Sequence, residues 1–182
     1  MDTNKIVQFR IKKENYNPPP YSDLYQYHTV DINNYKSNLD RLLNITKLID
    51  IQIVWDGNPN TKEKLQKRFE SNSVCQLWIY DGVDIGWYWY NDNFTYDWVN
   101  IIQTLNKNEH YVGGAFVSNR VNRPPNSSFI FYNFSFINAF NNLKKDTVYI
   151  YGDDWNRASN ILMYKSGCEQ YNFIKKDYAR EH

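Results

Sequence analysis

The sequence predicts an α/β (α+β) fold in which helices alternate with the strands of a sheet. Two observations predict it. Segments with a period of two residues, typical of strands, alternate along the chain with segments of helical periodicity. Between the strands Val74–Tyr80 and Val83–Tyr90, the dipeptide Asp81-Gly82 is the strongest short-range signal for a β-hairpin, because both turn positions require a positive φ.

The composition limits the class of protein. Of 182 residues, 42% are hydrophobic and 18% aromatic, which excludes an intrinsically disordered chain and allows one sizeable core. The 21 Lys and Arg residues balance 20 Asp and Glu residues, and a net charge of +1 argues against nucleic-acid binding. No apolar stretch approaches the roughly 20 residues of a membrane span, and the N-terminus has no signal-peptide pattern. We therefore expect a cytoplasmic protein with no nucleic-acid and no membrane partner.

The two cysteines, Cys75 and Cys168, lie far apart in the sequence. They form neither a CxxC pair nor a Cys/His cluster at zinc spacing. We expect both to be reduced thiols in or near the core, and we expect no bound metal.

The first 22 residues are predicted to be an N-terminal arm that packs on a single domain, 23–182. An alternating patch, Ile6–Ile11, is followed by Asn17-Pro18-Pro19-Pro20, which must be extended. The domain then begins with a strand, Leu24–Ile32, in which residues alternate between two faces.

Three helices are predicted before the strand Tyr111–Val117. Tyr35–Ile49 follows a cap at Asn33 or Asn34, and Lys62–Ser71 follows a cap at Thr61. After the hairpin, Thr95–Asn106 places Trp98, Ile101, Ile102 and Leu105 on one helical face, which predicts a short amphipathic helix.

The second half of the chain alternates strands and helices. The predicted elements are the strand Tyr111–Val117, the polar loop Ser118–Asn126, the buried helix Ser127–Asn142, the strand Thr147–Tyr151, the helix Asn156–Ser166 ended by Gly167, and the strand Tyr171–Ile174.

One junction has the pattern of a phosphate site. A strand leads into Arg123-Pro124-Pro125-Asn126-Ser127-Ser128 and then into a helix. Amides at the start of a helix are unpaired and the helix dipole is positive there, so such a junction binds phosphate without a basic patch. The alternative is an ordinary loop with a proline-fixed helix entry.

The order of these elements resembles the GNAT superfamily of acyl-CoA-dependent N-acetyltransferases, over about Leu24 to Ile174. Arg123-x-x-Asn126-x-Ser128 is similar to the family's Gln/Arg-x-x-Gly-x-Gly/Ala loop, and Ile85-Gly86-Trp87 to its Val-Gly-Phe strand. The segment Asn156–Cys168 is similar to the family's Asn-x-x-Ala-x-x-Leu-Tyr-x-Lys-x-Gly-Phe helix. The resemblance implies a mixed, mostly antiparallel central sheet with helices on both faces. It also implies transfer of an acetyl or other acyl group from acetyl-CoA to a primary amine by direct attack, without metal.

The resemblance also implies site residues. Those expected to bind the acyl-CoA are Phe116, Val117, Arg123, Asn126, Ser127, Ser128, Asn156 and Ser159, with the amide of Phe116 or Val117 as oxyanion donor. The candidate catalytic residues are Tyr164, Asp154 and Glu109, and His110 and Asp153 remain open as bases. The sequence departs from the family pattern at both loop glycines, and Met163 stands where many members have a tyrosine.

A second interpretation makes the protein a non-catalytic module, either GNAT-like or aromatic and β-rich, that recognises a glycan or a protein partner. Trp78, Tyr80, Trp87 and Trp89 would then form a stacking platform, whereas the simpler interpretation places them in the core. For the enzyme, the expected partner is a small-molecule or peptide amine. Whether the arm and the helix Thr95–Asn106 shape acceptor access or the surface of a homodimer stays open.

Overall fold

The computed structural model describes residues 5–48, 62–90, 94–96, 101–103, 105–118 and 122–175. The strands are β1 (Lys5–Lys12), β2 (Tyr25–Val30), β3 (Val74–Tyr80), β4 (Val83–Tyr90), β5 (Phe94–Tyr96), β6 (Ile101–Gln103), β7 (Glu109–Val117), β8 (Thr147–Asp153) and β9 (Glu169–Lys175). The α-helices are α1 (Tyr35–Leu48), α2 (Lys62–Glu70), α3 (Ser127–Ile137) and α4 (Arg157–Lys165). A short 3₁₀ turn at Lys13–Asn15 and a π turn at Asn138–Asn142 complete the described elements.

The chain divides into two compact units, described separately below. The first unit contains the described residues of Met1–Pro19, Asp92–Val112 and Phe136–His182. The second contains those of Pro20–Asn91 and Gly113–Ser135. Strand β7 and helix α3 each contribute residues to both units.

In the second unit, the strands β2, β3, β4 and the end of β7 are neighbours in that order, and every pair is antiparallel. The predicted hairpin is confirmed with its bounds. Asp81 and Gly82 have φ values of 49° and 76°, so the turn uses the positive φ that the dipeptide predicts.

Helices cover both faces of this sheet. One face, here called the α3 face, carries Trp78 and Tyr25, whose rings lie 5.8 and 5.4 Å from the ring of Phe131 in α3. The opposite face, here called the α1–α2 face, forms a buried cluster with helices α1 and α2. That cluster consists of Val30, Tyr35, Leu42, Ile45, Leu65, Phe69, Cys75, Leu77, Trp87 and Trp89. The alternation of side chains along β3 and β4 assigns them to the two faces.

In the first unit, the start of β7 pairs parallel with β8, β8 pairs antiparallel with β1, and β1 pairs antiparallel with β9. The predicted mixed and mostly antiparallel sheet is thus confirmed. The predicted arm contains an inner strand, because β1 has a hydrogen-bonded neighbour at each edge. Ile6, Val7 and Phe9 are all buried, as expected of a strand covered on both faces.

One predicted element is wrong in the described residues. The expected helix Thr95–Asn106 is replaced there by β5 and β6, which pair antiparallel with Thr95 opposite Ile102. Apart from Gln103, the residues of both short strands are aromatic or β-branched, and these residue types favour a pleated strand over a helix. Trp98, on which the helical pattern also rested, lies outside the described residues.

The described residues lack two features. None of their helices has the length and apolar character needed to cross a bilayer. Nor do three or more of their His, Cys, Asp and Glu side chains gather as a metal ion would require.

Candidate functional site

The end of β7 is drawn unusually close to β4 at Gly86. A Cβ atom at Gly86 would lie 2.3 Å from the Phe116 carbonyl oxygen and 3.0 Å from the Val117 Cα, so only glycine fits. Between Trp87 and Trp89 the register shifts, because Trp87 faces Phe116 but Trp89 faces Gly113. This shift is a β-bulge in β7, and bulges re-aim the strand that contains them.

The register decides where the Val117 amide points. Ser118 donates its N–H to the Ile85 carbonyl at 2.8 Å, so these two residues form a hydrogen-bonded pair. Antiparallel pairs alternate, and Val117 with Gly86 is therefore a non-hydrogen-bonded pair. The Val117 N–H consequently points away from β4, whereas the Phe116 N–H points towards it.

Arg123 closes the loop that follows β7. Its Nε donates to the Ser118 carbonyl at 2.9 Å. Burial of the guanidinium lowers the pKa of Arg123 below its ordinary value, and nearby Tyr25 opposes that shift. The side chain predicted to hold a pyrophosphate therefore has one nitrogen committed to the backbone, and its two terminal nitrogens have no partner in the described part of the chain.

The N-terminus of α3 has two unbonded amides. Asn126 is the N-cap, because its carbonyl accepts from the N–H groups of Phe129 and Ile130. Ser127 directs both its N–H and its hydroxyl to the Pro124 carbonyl, at 3.0 and 2.7 Å. The N–H groups of Asn126 and Ser128 have no acceptor among the described residues.

The sequence predicts Ser127 to bind the acyl-CoA, whereas its N–H and its hydroxyl are already bonded to the Pro124 carbonyl. It is fully buried, and its hydroxyl also lies 3.2 Å from the Tyr25 hydroxyl. Pro124 and Pro125 have no N–H to offer a ligand. The described part of this loop therefore has only the amides of Asn126 and Ser128 for an anion.

In the first unit, the start of α4 uses Asn156 as an N-cap. The Asn156 Oδ1 accepts from the Ser159 N–H at 3.2 Å, so these two predicted ligands bond each other. Asn160 donates its Nδ2 to the carbonyls of Asp153 and Asp154, both at 3.3 Å. Its Oδ1 is buried without a donor, 3.0 Å from where Gly152 would carry a Cβ.

The three candidate catalytic side chains are all in the first unit, in different settings. The Tyr164 hydroxyl donates to Gln170 Oε1 at 2.6 Å, and the side chain is 52% exposed. Asp154 is exposed, and its carboxylate makes no hydrogen bond to the described residues. The alternatives left open as bases, Asp153 and His110, are both buried.

Glu109 begins β7, whereas Phe116 and Val117 end it. The Glu109 carboxylate accepts from the Tyr149 hydroxyl at 2.9 Å and from the Asn106 N–H at 2.8 Å. Burial and this hydrogen bond raise the pKa of Tyr149 to about 12, so the phenol stays protonated at neutral pH. Both oxygens of Glu109 are therefore engaged in anchoring the start of the strand.

The sequence did not single out Ser118, Tyr25, Gly152 or Asn160 as site residues. Ser118 donates to the Ile85 carbonyl, and the Tyr25 hydroxyl lies beside the Ser127 hydroxyl. Both partners are distant in sequence, so no local pattern reveals these contacts. Asn160 lies within the segment Asn156–Cys168, and its place one helical turn after the N-cap Asn156 was the available signal.

The hairpin tryptophans do not form a platform. Trp78, Trp87 and Trp89 are all more than nine-tenths buried, so their ring faces pack inside the protein. The simpler interpretation, that these residues belong to the core, is correct, and the stacking of sugars or bases on them is excluded.

Comparison with known proteins gives a consistent picture of the fold. No model of a protein family and no curated protein matches the chain. A GCN5-related N-acetyltransferase from Sphaerobacter thermophilus superposes with a TM-score of 0.63 at 12% identity, over 95% of this chain and 50% of that one. One from Kribbella flavida gives 0.57 at 10%, over 97% and 60%.

A shorter neighbour matches over nearly its whole length. The N-acetyltransferase PseH from Campylobacter jejuni has a TM-score of 0.53 at 16% identity, over 85% of this chain and 99% of that one. The chain thus spans half to three fifths of the two longer neighbours. At these identities the likeness concerns architecture, and the chain has the fold of the GNAT N-acetyltransferases.

Proposed function

We propose that the protein transfers an acetyl or other acyl group from acetyl-CoA to a primary amine by direct attack. The observation that carries this proposal is the N-terminus of α3, where two unbonded amides follow a strand end of GNAT architecture. Amides at such a helix start favour a phosphate through hydrogen bonds and through the helix dipole.

Several of the described residues suit an acyl-CoA. The amides of Asn126 and Ser128 and the terminal nitrogens of Arg123 would hold the pyrophosphate. In the first unit, the buried and unbonded Asn160 Oδ1 offers an acceptor for an amide N–H of the pantetheine arm, beside the capped pair Asn156 and Ser159. The bound acyl-CoA supplies an activated acyl group as a thioester.

The chain's own groups then have distinct tasks. The Val117 N–H, directed away from β4, would donate to the acyl carbonyl oxygen and stabilise the negative charge that develops there. Asp154 would accept the proton of the amine, directly or through water, because its carboxylate is exposed and makes no described hydrogen bond. Glu109 and Tyr164 would first have to leave their partners Tyr149 and Gln170.

The cellular setting remains part of the proposal. Both cysteines are free and buried, which fits a reducing cytoplasm. The acceptor is a small-molecule or peptide amine, no metal takes part, and the homodimer stays a prediction.

Calorimetry with acetyl-CoA and CoA tests the proposal directly. A matched pair of variants isolates the amide of Ser128. Ser128→Pro removes the N–H in the first turn, where proline suits a helix, and we expect binding about tenfold weaker. Ser128→Ala keeps the N–H and should bind like the wild type. Absence of binding by the wild-type protein would refute the proposed function.

A second candidate is a GNAT-like module that binds a ligand or a protein partner without catalysis. The observation in its favour is that Tyr164 is held by Gln170 while the neighbouring Met163 is buried. A thiol-release assay with acetyl-CoA and a panel of amines decides between the two. Binding of acetyl-CoA without release of CoA by any amine favours the module.

A further inference from the structure

Two successive side-chain hydrogen bonds tie the start of α3 to the sheet. The Ser127 hydroxyl lies 2.7 Å from the Pro124 carbonyl oxygen and 3.2 Å from the Tyr25 hydroxyl. A carbonyl can only accept, and a serine hydroxyl has one proton to give. Ser127 therefore donates to Pro124, and the Tyr25 hydroxyl donates to the Ser127 oxygen.

Two neighbouring rings hold Tyr25 in place. Tyr25 is the first residue of β2 and lies opposite Tyr80 in β3. The residue is 8% exposed, and its ring is 5.0 Å from the ring of Tyr80 and 5.4 Å from that of Phe131. A side chain fixed by packing can fix a binding group that it contacts. The phenol thus gives the loop before α3 a fixed point on the sheet.

Ser127 stands between the two residues whose amides are unbonded in the described chain, Asn126 and Ser128. Its N–H and its hydroxyl both go to the Pro124 carbonyl, so both lone pairs of that oxygen are in use. Bonds that fix the backbone and the side chain of Ser127 also fix the directions of the two neighbouring N–H groups.

Tyr25 also lies close to the cation of the same loop. The Arg123 guanidinium is near enough for Tyr25 to oppose the lowering of the Arg123 pKa by burial. Arg123 Nε donates to the Ser118 carbonyl at 2.9 Å, which leaves the two terminal nitrogens available to an anion. One phenol therefore adjoins both groups that are proposed to hold the pyrophosphate.

We propose that Tyr25 is a positioning residue of the anion site at the start of α3. Through Ser127 it holds the amides of Asn126 and Ser128 in the directions that a pyrophosphate requires. This inference rests on the proposed function, because the pyrophosphate is that of the acyl-CoA. Tyr25 acts without touching the ligand, since its hydroxyl proton is given to Ser127.

Preorganisation explains how such a residue contributes to affinity. Amides that already point at the anion bind it without first being ordered, whereas a loose helix start would lose part of the binding free energy to ordering. Removal of the Tyr25 hydroxyl should therefore weaken the binding of ligands that carry a pyrophosphate and spare those that lack it. A merely structural role would affect both kinds of ligand alike.

Calorimetry of the full chain compares Tyr25→Phe with Tyr27→Phe. Each change keeps the ring and removes the hydroxyl. Tyr27 is the matched control, because it lies on the same strand and its ring is 5.2 Å from that of Phe134, beyond the first turn of α3. We expect Tyr25→Phe to bind CoA and inorganic pyrophosphate about three- to tenfold more weakly. Tyr27→Phe should bind both like the wild type, and unchanged affinities in Tyr25→Phe would overturn the inference.

A donor without the pyrophosphate separates positioning from general damage. S-acetylpantetheine has the thioester and the pantetheine arm of acetyl-CoA but no phosphate. In the thiol-release assay, Tyr25→Phe should raise the KM for acetyl-CoA about three- to tenfold and leave kcat unchanged. The kcat/KM for S-acetylpantetheine should equal that of the wild type. Equal losses with both donors would contradict a positioning role.

Hydrogen exchange tests the same bond without ligand. Phe129 and Ile130 donate their N–H groups to the Asn126 carbonyl in the first turn of α3. In Tyr25→Phe these two amides should exchange about three- to tenfold faster than in the wild type, while the Phe134 amide exchanges at the wild-type rate. Unchanged exchange in the first turn would show that the Tyr25 hydroxyl does not hold it.

Failure of this inference can be told from failure of the proposed function. If acetyl-CoA binds and amines release CoA equally well with the wild type and with Tyr25→Phe, only the role of Tyr25 is wrong. If CoA and pyrophosphate bind more weakly to Tyr25→Phe but no amine releases CoA, the positioning role stands and the acyltransferase proposal fails. Binding of neither CoA nor pyrophosphate by the wild type would overturn both.

Discussion

The α3 face and the α1–α2 face of the second unit each bury one N–H donor without an acceptor. On the α3 face it is Nε2 of Gln76, which is 0% exposed and whose Oε1 accepts from the Trp78 indole at 2.8 Å. On the α1–α2 face it is the Trp89 indole, beside the half-buried Arg68. The same kind of unpaired atom is thus sealed inside the protein on both faces, and on the α1–α2 face the Arg68 guanidinium lies over the ring that carries it. We interpret both as a cost within the core, which the cation–π contact of Arg68 offsets in part on the α1–α2 face.

The largest expected effect comes from Gly86→Ala, which disturbs both faces at once. The new Cβ would meet the Phe116 carbonyl at 2.3 Å, and a backbone atom cannot move aside as a flexible side chain can. We expect the free energy of unfolding to fall by about 3 kcal/mol or more. Urea unfolding of the wild type and the variant measures this loss of free energy. A loss below about 1 kcal/mol would mean that β4 and β7 separate easily there.

Trp78→Phe should cost less and should act on the α3 face alone. It removes the N–H that the buried Oε1 of Gln76 accepts and leaves a small cavity, for an expected loss of about 2–4 kcal/mol. The double variant Trp78→Phe/Gln76→Leu also removes the stranded acceptor and the unpaired Nε2. It should recover about 1–2 kcal/mol relative to the single variant. A double variant that is less stable than the single one would show that Gln76 has another important partner.

Local signals made much of the fold predictable. The hairpin followed from Asp81-Gly82, because the need for positive φ is a property of two adjacent residues. The helix between Asn156 and Gly167 followed from a cap and a stop, which the structure confirms through the Ser159 N–H bond and a φ of 84° at Gly167. In each case the interaction that decides the structure joins residues only a few positions apart.

Non-local pairing explains what the sequence could not reveal. The alternation of Ile6–Ile11 predicts a strand equally well at an edge or inside a sheet, and only pairing with β8 and β9 decides. The candidate site has a different limit, because its deciding bonds join residues that are close in sequence. The loop pattern indicated Arg123 and Ser127, but their bonds to Ser118 and Pro124 depend on how the loop closes. That Trp89 lacks an acceptor could be seen only after its neighbours were known.

Trp89→Phe sharpens the comparison between the faces. This change removes a donor that bonds nothing, so only the cavity contributes to the expected loss of about 1–2 kcal/mol. The loss should therefore be smaller than for Trp78→Phe, although the two substitutions are chemically the same. Urea unfolding of both variants under identical conditions provides the measurement. An equal or greater loss for Trp89→Phe would show that its N–H is bonded in solution.

The smallest effect on stability is expected from Arg68→Gln, which separates the cation from the unpaired donor. The half-buried guanidinium contributes a cation–π contact worth about 0.5–1 kcal/mol, so loss of this contact should lower the free energy of unfolding by about that amount. Urea unfolding measures this loss, and Arg41→Gln is the matched control. Because Arg41 forms a two-pronged ion pair with Asp84, its substitution should lower the free energy of unfolding more than Arg68→Gln does. A much larger loss of stability in Arg68→Gln would show that Arg68 also holds α2 in place through contacts other than the one with Trp89.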